Sequence, residues 1–166
     1  IDLYRAESFP DKWVFDRTLI ADVAAVDTVI LKGGSLWWLF TSISSDGRGL
    51  NDTLSLFSTD SFPDGRWEPH RGNPVVNGIS ASRMAGVFFR NDDGCLIRPA
   101  QNCAKFYGRS ITLEKVIQID RDSYREEPIT EILPEQNLHA VCTHTWNRSG
   151  AYLIRDIKTR RFRLWS

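Results

Sequence analysis

A repeated stretch decides the fold: it reads Leu3-Tyr4-Arg5-Ala6-Glu7-Ser8-Phe9-Pro10-Asp11-Lys12-Trp13 and returns as Leu56-Phe57-Ser58-Thr59-Asp60-Ser61-Phe62-Pro63-Asp64-Gly65-Arg66-Trp67. The two Phe-Pro steps are 53 residues apart, and the two closing Trp residues are 54 apart. Each copy predicts a strand, a Ser-Phe-Pro-Asp turn and a second strand, because Pro followed by Asp is favourable turn chemistry. A repeat of this length indicates copies of one supersecondary unit.

Three hairpins are predicted between the copies, each made of two apolar runs joined by a short turn that contains glycine. The pairs of runs and their turns are Asp27–Leu31 with Leu36–Phe40 around Gly33-Gly34, Met84–Phe89 with Cys95–Ile97 around Asp93-Gly94, and Ala140–Trp146 with Ala151–Ile154 around Ser149-Gly150. The turn glycines recur about every 55–60 residues, which is typical of one propeller blade per repeat.

Alternating the two kinds of hairpin predicts an all-β chain of antiparallel four-stranded blades, a partial five-bladed β-propeller with about three blades in a single domain, 1–166. The predicted blade pieces are 1–20, 27–71, 83–133 and 140–166. Residues Ile111–Asp122 are the one stretch with an apolar pattern that also fits a helix. Because β-branched residues dominate it, we predict a pair of strands there.

The composition is that of an ordinary globular domain. Hydrophobic residues make up 42% and charged residues 25%, and the 21 basic residues balance the 21 acidic ones. This balance argues against a nucleic-acid partner, and no apolar run reaches the roughly 18 residues of a membrane span. The three cysteines show no Cys-x-x-Cys spacing, and no signal peptide is visible, so we expect reduced thiols and a cytoplasmic protein.

The order of motifs along the chain resembles a known family. These motifs are Leu3-Tyr4-Arg5-Ala6, Val26-Asp27-Thr28, Trp37-Trp38-Leu39-Phe40, Trp67-x-Pro69-His70-x-x-Asn73-Pro74-Val75, Ser82-Arg83, Arg98-Pro99-Ala100-Gln101-Asn102-Cys103, Tyr107-Gly108, Tyr124-x-Glu126 and His144-Thr145. Together they resemble the five-bladed propeller domain of plant glucosamine inositolphosphorylceramide transferases. That domain is in turn similar to glycoside hydrolases of the arabinanase and β-xylosidase type.

The resemblance implies a carbohydrate or glycoconjugate partner. It also implies that about two-fifths of the ring is missing, so we expect either further blades upstream or closure by self-association into a homo-oligomer. One departure is Asn102, where the family commonly has Asp after the Gln. If that Asp carries chemistry in the family, the amide removes its charge here.

Asp27 is the candidate catalytic residue, because the resemblance places catalytic acids near the start of inner strands. Glycoside hydrolysis needs two carboxyl groups about 5–10 Å apart. The alternative is that Asp27 caps a turn by binding backbone amides.

Arg83, Arg98, Gln101 and Tyr107 are candidates for the wall of a polar pocket that binds a sugar. The two arginines lie on predicted inner strands, where an unpaired charge is costly. Each therefore needs a carboxylate or carbonyl partner, or an anionic or polyhydroxylated ligand. The alternative is an internal network between blades, for example from Arg98 to Asp27 or to Glu126.

His70, Asn73 and His144 complete the candidate sugar-binding residues. The first two lie in a loop whose Asn-Pro step favours a turn, and a bracing role there is the alternative. His144 is predicted at the middle of an inner strand, where a core role is the alternative. The three histidines show no ligand spacing, so we predict no metal site and no cofactor, with an axial ion such as calcium left open.

Two functions from different classes follow. One is a carbohydrate-active enzyme, glycosidase-like or part of a glycosyl- or formyl-transferase, in which Asp27 acts with a second carboxylate. The other is a non-catalytic sugar-binding or scaffolding domain. A second carboxylate near Asp27 across a solvent-accessible pocket favours the enzyme, whereas amides, arginines and aromatic rings alone favour the binding domain.

Overall fold

The protein is described from a computed structural model, which covers residues 1–44 and 49–160. These residues form strands and one short 3-10 helix, Gln136–Leu138, with no α-helix among them. The strands are β1 (Asp2–Ser8), β2 (Lys12–Thr18), β3 (Ala25–Gly33), β4 (Leu36–Ile43), β5 (Thr53–Thr59), β6 (Glu68–Pro69), β7 (Val76–Asn77), β8 (Arg83–Met84), β9 (Phe89–Arg90), β10 (Leu96–Asn102), β11 (Ser110–Ile119), β12 (Tyr124–Ile132), β13 (Ala140–Cys142), β14 (Trp146–Ser149), β15 (Tyr152–Arg155) and β16 (Lys158–Thr159). The prediction of an all-β chain is confirmed.

Two five-stranded sheets form the body of the protein. The first has the order β3-β4-β5-β6, with β7 also pairing with β5. The second has the order β8-β10-β11-β12, with β9 also pairing with β10. Every pairing is antiparallel, and successive strands are mostly neighbours. Three two-stranded sheets, β1-β2, β13-β16 and β14-β15, complete the described residues.

The repeated stretch folds as a strand and a turn in both copies. In the first copy, β1 pairs with β2 across the Phe-Pro turn. In the second copy, β5 is followed by the same turn and then by the short strand β6. The described residues do not form a closed ring, so the propeller, its blade boundaries and its number of blades stay predictions.

The first predicted glycine hairpin is present. The second is present in part, because the predicted run Met84–Phe89 is divided between β8 and β9, which pair separately with β10. The β3-β4 hairpin turns at Gly34-Ser35, because Gly33 still pairs with Leu36, and the β9-β10 hairpin turns at Asp93-Gly94. Gly34 has a φ of 62° and Gly94 a φ of 77°, a left-handed conformation that glycine adopts without steric cost.

The prediction for the third hairpin is partly wrong. Residues 140–146 do not form one strand, because β13 pairs with β16 and only β14 pairs with β15. Between β13 and β14, the amide of Thr143 donates to the carbonyl of Gly108, 3.0 Å away, instead of entering a strand ladder. The interruption places His144 outside the strands.

Residues 111–122 are extended, as predicted, but most of the stretch is one strand. The ten-residue β11 runs to Ile119 and pairs with β10 on one side and β12 on the other. Asp120 then organises the turn, because its Oδ1 accepts the backbone amides of Asp122 and Ser123 at 2.9 and 2.8 Å.

The main core lies where the first sheet meets β8. Its buried members are Trp38, Phe40, Leu54, Leu56 and Met84. Burying each such side chain contributes about 1.5–3 kcal/mol. The neighbouring Trp on β4 faces the other side of the sheet, as strand alternation requires. The core therefore holds the edge strand β8 against the first sheet, and this junction positions the candidate site.

Candidate functional site

Asp27 lies at a bulge in β3 and points its carboxylate at the second sheet. The β3-β4 register shifts between Val26 and Val29, and Asp27 has a φ of 54°. Asp tolerates this left-handed conformation better than most residues, and a bulge redirects a side chain. The Oδ2 atom accepts hydrogen bonds from Arg83 Nε at 2.7 Å and from Gln101 Nε2 at 2.9 Å. The predicted catalytic acid is thus an ion-paired acceptor.

Arg83 and Gln101 reach Asp27 together because they are direct partners in the pairing of β8 with β10. The Nη2 atom of Arg83 lies 2.6 Å from the same Asp27 oxygen, and its Nη1 donates to Asn51 Oδ1 at 2.7 Å. Fork-like donation to a carboxylate is the geometry that guanidinium favours. These bonds join β8 to β3 and to the chain just before β5.

The Gln101 side chain is 4% exposed and carries the most informative atom of the site. Its Nε2 donates to Asp27 Oδ2 and, at 2.8 Å, to the carbonyl oxygen of Met84. Both partners are acceptors, which assigns the amide orientation. The Oε1 atom is buried and has no hydrogen-bond partner among the described residues. A buried acceptor without a partner costs about 1–3 kcal/mol, so this atom requires a donor from elsewhere.

Tyr107 and His144 extend the cluster on its open side. The Arg83 guanidinium carbon lies 4.9 Å from the centre of the Tyr107 ring, and Tyr107 packs edge to face on His144 with centroids 5.3 Å apart. Burial raises the pKa of Tyr107, and the charge of Asp27 acts in the same direction, whereas the Arg83 charge opposes both. The phenol therefore stays protonated at neutral pH and can donate a hydrogen bond.

Asp156 holds in place the short segment around His144, residues 143–145, which lies between β13 and β14. Its Oδ1 accepts the backbone amides of His144 and Thr145 at 2.9 and 2.6 Å. Its Oδ2 lies against His144 Nδ1 without the alignment of a hydrogen bond. Gly108 allows the segment to approach, because a Cβ at this glycine would lie 3.0 Å from His144 Cβ. The backbone contacts, rather than a strand ladder, place the imidazole.

A cavity of about 190 Å³, with both polar and apolar groups in its lining, lies between these groups. Its lining includes Asp27, Gln101, His144, Thr145 and Asn147. The Asn147 Oδ1 atom accepts the amide of Val87 at 2.9 Å, which fixes the far wall. Carboxylate, amide, imidazole and hydroxyl groups therefore lie beside apolar side chains around one small space. The space is at the junction of the first sheet, the second sheet and the β14 segment, which is residues 143–149.

Arg98 makes its contacts elsewhere. Residues 98 and 101 are three apart on β10 and therefore face opposite sides of the sheet. Arg98 is fully buried and pairs with Glu126, at 2.7 Å from Nε to Oε2, while the Tyr124 hydroxyl donates to the same oxygen at 2.5 Å. Burial works to lower the pKa of Arg98, but the Glu126 charge and hydrogen bonds raise it above its usual value. This is the internal pair that the sequence analysis held as the alternative.

His70 and Asn73 form bonds within their own loop and to neighbouring backbone. His70 Nδ1 accepts the Gly72 amide at 3.0 Å, and its Nε2 lies 3.0 Å from the Asp120 carbonyl oxygen. The Asn73 side chain pairs with both backbone groups of Leu56 at 2.8 Å. The bracing role is therefore visible in the contacts, and a sugar contact at either residue stays a prediction.

No pattern in the sequence pointed to Asp156, Asn51 or Asn147 as site residues. Asn51 and Asn147 begin the sequons Asn51-Asp-Thr53 and Asn147-Arg-Ser149, but a sequon predicts nothing about these contacts. Asp156 has no neighbouring motif, and its role depends on backbone amides 11 and 12 residues earlier in the chain. Among residues 1–44 and 49–160, no three His, Cys, Asp or Glu side chains cluster as metal ligands.

Comparison with known proteins gives one family. The family described as glucosamine inositolphosphorylceramide transferase 1, N-terminal, matches residues 1–158. Glucosamine inositolphosphorylceramide transferase 1 of Oryza sativa subsp. japonica is 34% identical over 130 residues, which are 76% of this chain and 17% of that protein. The Arabidopsis thaliana protein of the same name is 30% identical over 128 residues, 76% of this chain and 16% of that protein.

The chain thus spans about one sixth of the length of the curated relatives that it matches. No solved structure matches it, so the likeness to arabinanase-type hydrolases stays a prediction. The family match extends over residues 1–158 of 166 and includes every side chain of the cavity. The chain therefore belongs to the family of N-terminal regions of glucosamine inositolphosphorylceramide transferase 1.

Proposed function

We propose that the chain is the sugar-recognising part of a glycan-modifying transferase, and that it binds a sugar of a glycoconjugate at the cavity between Asp27, Gln101 and His144. Membership of the transferase family supports a carbohydrate-associated role. The finer assignment, sugar binding at this cavity, is argued from the chemistry of the cavity itself.

The observation that carries the proposal is the unpartnered Oε1 atom of Gln101. Because this oxygen is buried, a sugar hydroxyl would have to enter the cavity that Gln101 lines in order to satisfy it. Such a hydroxyl is a donor and an acceptor, so it could bridge to a neighbouring group at the same time. Asp27 is held rigidly by Arg83 and Gln101, which limits the ordering cost of binding. A small cavity with a few fixed polar groups is typical of a site that orients one ligand ring.

The contacts of the Asp27 and Asp156 carboxylates favour sugar binding over sugar hydrolysis. Asp27 already accepts bonds from Arg83 and Gln101, and Asp156 already holds two backbone amides. A general acid must be free to give a proton to the leaving oxygen. Both carboxylates are engaged as acceptors, and this supports a non-catalytic site. Glycosidase chemistry with Asp27 and Asp156 as the pair is the second candidate, because His144 contacts Asp156 and lines the cavity.

The proposed arrangement of the sheets is a pair of propeller blades. Each large sheet contains a run of antiparallel strands in which most neighbours are consecutive in the chain, as in a blade. The cavity lies where the two sheets and the β14 segment meet. On this proposal the site would face the axis of a five-bladed ring.

The experiment is a binding titration of the purified chain with glucosamine, myo-inositol phosphate and neutral hexoses, followed by NMR. These probes are chosen from the chemistry that the relatives' name contains. Gln101→Met keeps the side-chain size and removes the amide, and we expect it to weaken binding at least about tenfold, the effect of one lost hydrogen bond. Gln118→Met is the matched control, because Gln118 is an exposed residue of β11.

Binding by the parent chain that Gln101→Met leaves unchanged would contradict the proposed site, even if the sugar-binding function were correct. Release of free sugar from a glycoside substrate, lost in both Asp27→Asn and Asp156→Asn, would favour the glycosidase instead. No shift with any probe would exclude sugar recognition by this chain.

A further inference from the structure

The β1-β2 hairpin exposes an aromatic face. Phe9 is 79% exposed, and Tyr4, Trp13 and Phe15 are each more than half exposed. The rings form two pairs, with the centroids of Tyr4 and Phe15 5.8 Å apart and those of Phe9 and Trp13 6.1 Å apart. Four large aromatic side chains in one exposed patch are unusual for a surface that stays in water.

The internal repeat shows what covers the same residues in the second copy. Phe62 and Trp67 are the counterparts of Phe9 and Trp13, and they form the same edge-to-face pair at 6.2 Å. Trp67, however, is only 7% exposed, whereas Trp13 is 52% exposed. One motif with one ring geometry is thus largely buried in one copy and open in the other.

The cover in the second copy comes from the strand beside β5. Strand β4 pairs antiparallel with β5 and places Trp37 opposite Thr59. The Trp37 ring then packs on Phe62 with centroids 4.8 Å apart. The counterpart of Thr59 in the first copy is Ala6. A strand that paired with β1 in the same register would place a side chain opposite Ala6, over the Phe9 ring.

The edge of β1 that corresponds to this position is open. Strand β5 has β4 on one side and β6 and β7 on the other. Among the described residues β1 pairs with β2 alone, which leaves its other edge with backbone groups free to bond. An open strand edge beside an apolar face is a site for strand addition.

We propose that this edge and the aromatic face of the β1-β2 hairpin are the docking surface for an additional β-strand. The strand pairs antiparallel with β1 and places a large apolar side chain, aromatic as in β4, opposite Ala6. Its source is the same polypeptide on the amino-terminal side of β1. The order β4 then β5 in the internal repeat supports this source.

The first test compares the 166-residue chain with a protein extended by the roughly 55 residues encoded ahead of Ile1, about one repeat. Hydrogen exchange is measured along β1. We expect every second amide of β1 to exchange at least about tenfold more slowly in the extended protein, because a hydrogen bond to the added strand then protects it. Amides of β11 are the internal control, since β11 already has partners on both edges.

Equal exchange of β1 in the two proteins would overturn the proposal, as would a gene without coding sequence ahead of Ile1. Protection of β1 that rises with the concentration of the 166-residue chain would also overturn it, because the partner would then be a second copy.

A second measurement uses Phe9→Ser in both proteins. We expect a lower Tm only in the extended protein, because the Phe9 ring is largely solvated in the shorter one. Phe106→Ser is the matched control, since Phe106 is 49% exposed and lies outside the hairpin. The same Tm change for Phe9→Ser in both proteins would contradict strand docking over this ring.

Discussion

At the scale of single residues, Asn102 shows how the neighbours of a side chain decide whether an amide or a carboxylate is suitable. Asn102, which the resemblance predicts to replace an Asp, donates through its Nδ2 to Glu131 Oε1 at 3.0 Å. The same carboxylate accepts bonds from Arg109 at 2.8 Å and from Ser110. The hydrogen bond from Ser110, followed by smaller contributions from the charge of Arg109 and the bond from Asn102, lowers the pKa of Glu131. The amide is therefore a donor that suits an acidic partner.

Asn102→Asp is expected to destabilise the chain by about 1–3 kcal/mol at neutral pH, because a carboxylate replaces a donor beside Glu131. Urea unfolding at pH 7 measures the loss. The loss should shrink at low pH, where one of the two carboxylates takes up a proton. Asn91→Asp is the control, since Asn91 lies in an exposed turn beside Asp93. A variant as stable as the parent at pH 7 would show that Glu131 does not select the amide.

Glu114 gives the chain a pH dependence of the opposite sign. It is 4% exposed, and burial, followed by the charge of Glu126, raises its pKa above the usual 4.5. The folded state then holds this proton more tightly than the unfolded state, so stability falls as pH rises from the usual value through the raised one. At neutral pH the raised pKa of the buried Glu114 therefore lowers the free energy of unfolding.

Glu114→Gln is accordingly expected to raise the free energy of unfolding at pH 7, with the gain disappearing below the ordinary pKa of a glutamate. Urea unfolding across this pH range measures it. Glu127→Gln, at an exposed position on β12, should change little at any pH. A Glu114→Gln variant that is less stable than the parent at pH 7 would mean that the ionised carboxylate stabilises Arg98 more than its burial costs.

At the scale of elements, the β14 segment is attached to β8 through backbone contacts. The amide of Trp146 donates to the Ala85 carbonyl oxygen at 2.8 Å, and the Trp146 ring packs on Phe89 with centroids 4.6 Å apart. Gly86, the residue after Ala85, has no side chain, and a Cβ there would lie 1.9 Å from the Trp146 carbonyl oxygen. The close approach of two backbones thus requires glycine at this one position.

Gly86→Ala is expected to separate the β14 segment from β8 and to cost several kcal/mol, roughly 2–4, because backbone atoms cannot yield as a flexible side chain can. Thermal unfolding measures the cost, and loss of sugar binding would accompany it, since Gly86 lines the cavity. Gly34→Ala is the control for backbone strain alone, because Gly34 has a φ of 62° and nothing near its Cβ position. Equal losses in the two variants would contradict the packing explanation.

At the scale of the whole molecule, a polar contact and an apolar one hold the two large sheets together. Arg83 of β8 bonds to Asp27 of β3 and to Asn51 before β5. Met84, the next residue, is a buried member of the core formed with the first sheet.

No helix of the described residues is long and apolar enough to cross a bilayer.

Arg83→Leu is expected to lower the free energy of unfolding by about 1–3 kcal/mol, because it leaves the Asp27 carboxylate with one fewer charged partner in a partly buried place. Denaturant unfolding and hydrogen exchange of β3 and β8 measure the loosening. Arg71→Leu is the control, since its pair with Asp122 is largely exposed and contributes about 0–1 kcal/mol. An unchanged stability would mean that the apolar contact alone joins the sheets.

The sequence by itself determined that the chain is all-β, that it turns at Gly34 and Gly94, and that it contains the repeat, because each of these depends on residues close together in the chain. Alternating apolar residues favour a strand wherever another strand is close by in the chain. Gly34 and Gly94 favour the turns that join such strands. The motifs of the resembled family singled out Asp27, Arg83 and Gln101 as candidates, but not which of them touch, and their part in binding or catalysis stays a prediction.

Only the tertiary structure decided the site itself. It turned Arg98 away from Gln101 to Glu126, took His144 out of a strand, and brought Asp156 to the backbone of the His144 segment. These outcomes depend on which face of a strand is buried and on backbone groups of distant elements. Such contacts are set by packing across long sequence separations. The repeat with which the chain begins is therefore a local property, whereas the unpartnered Gln101 oxygen exists only in the folded chain.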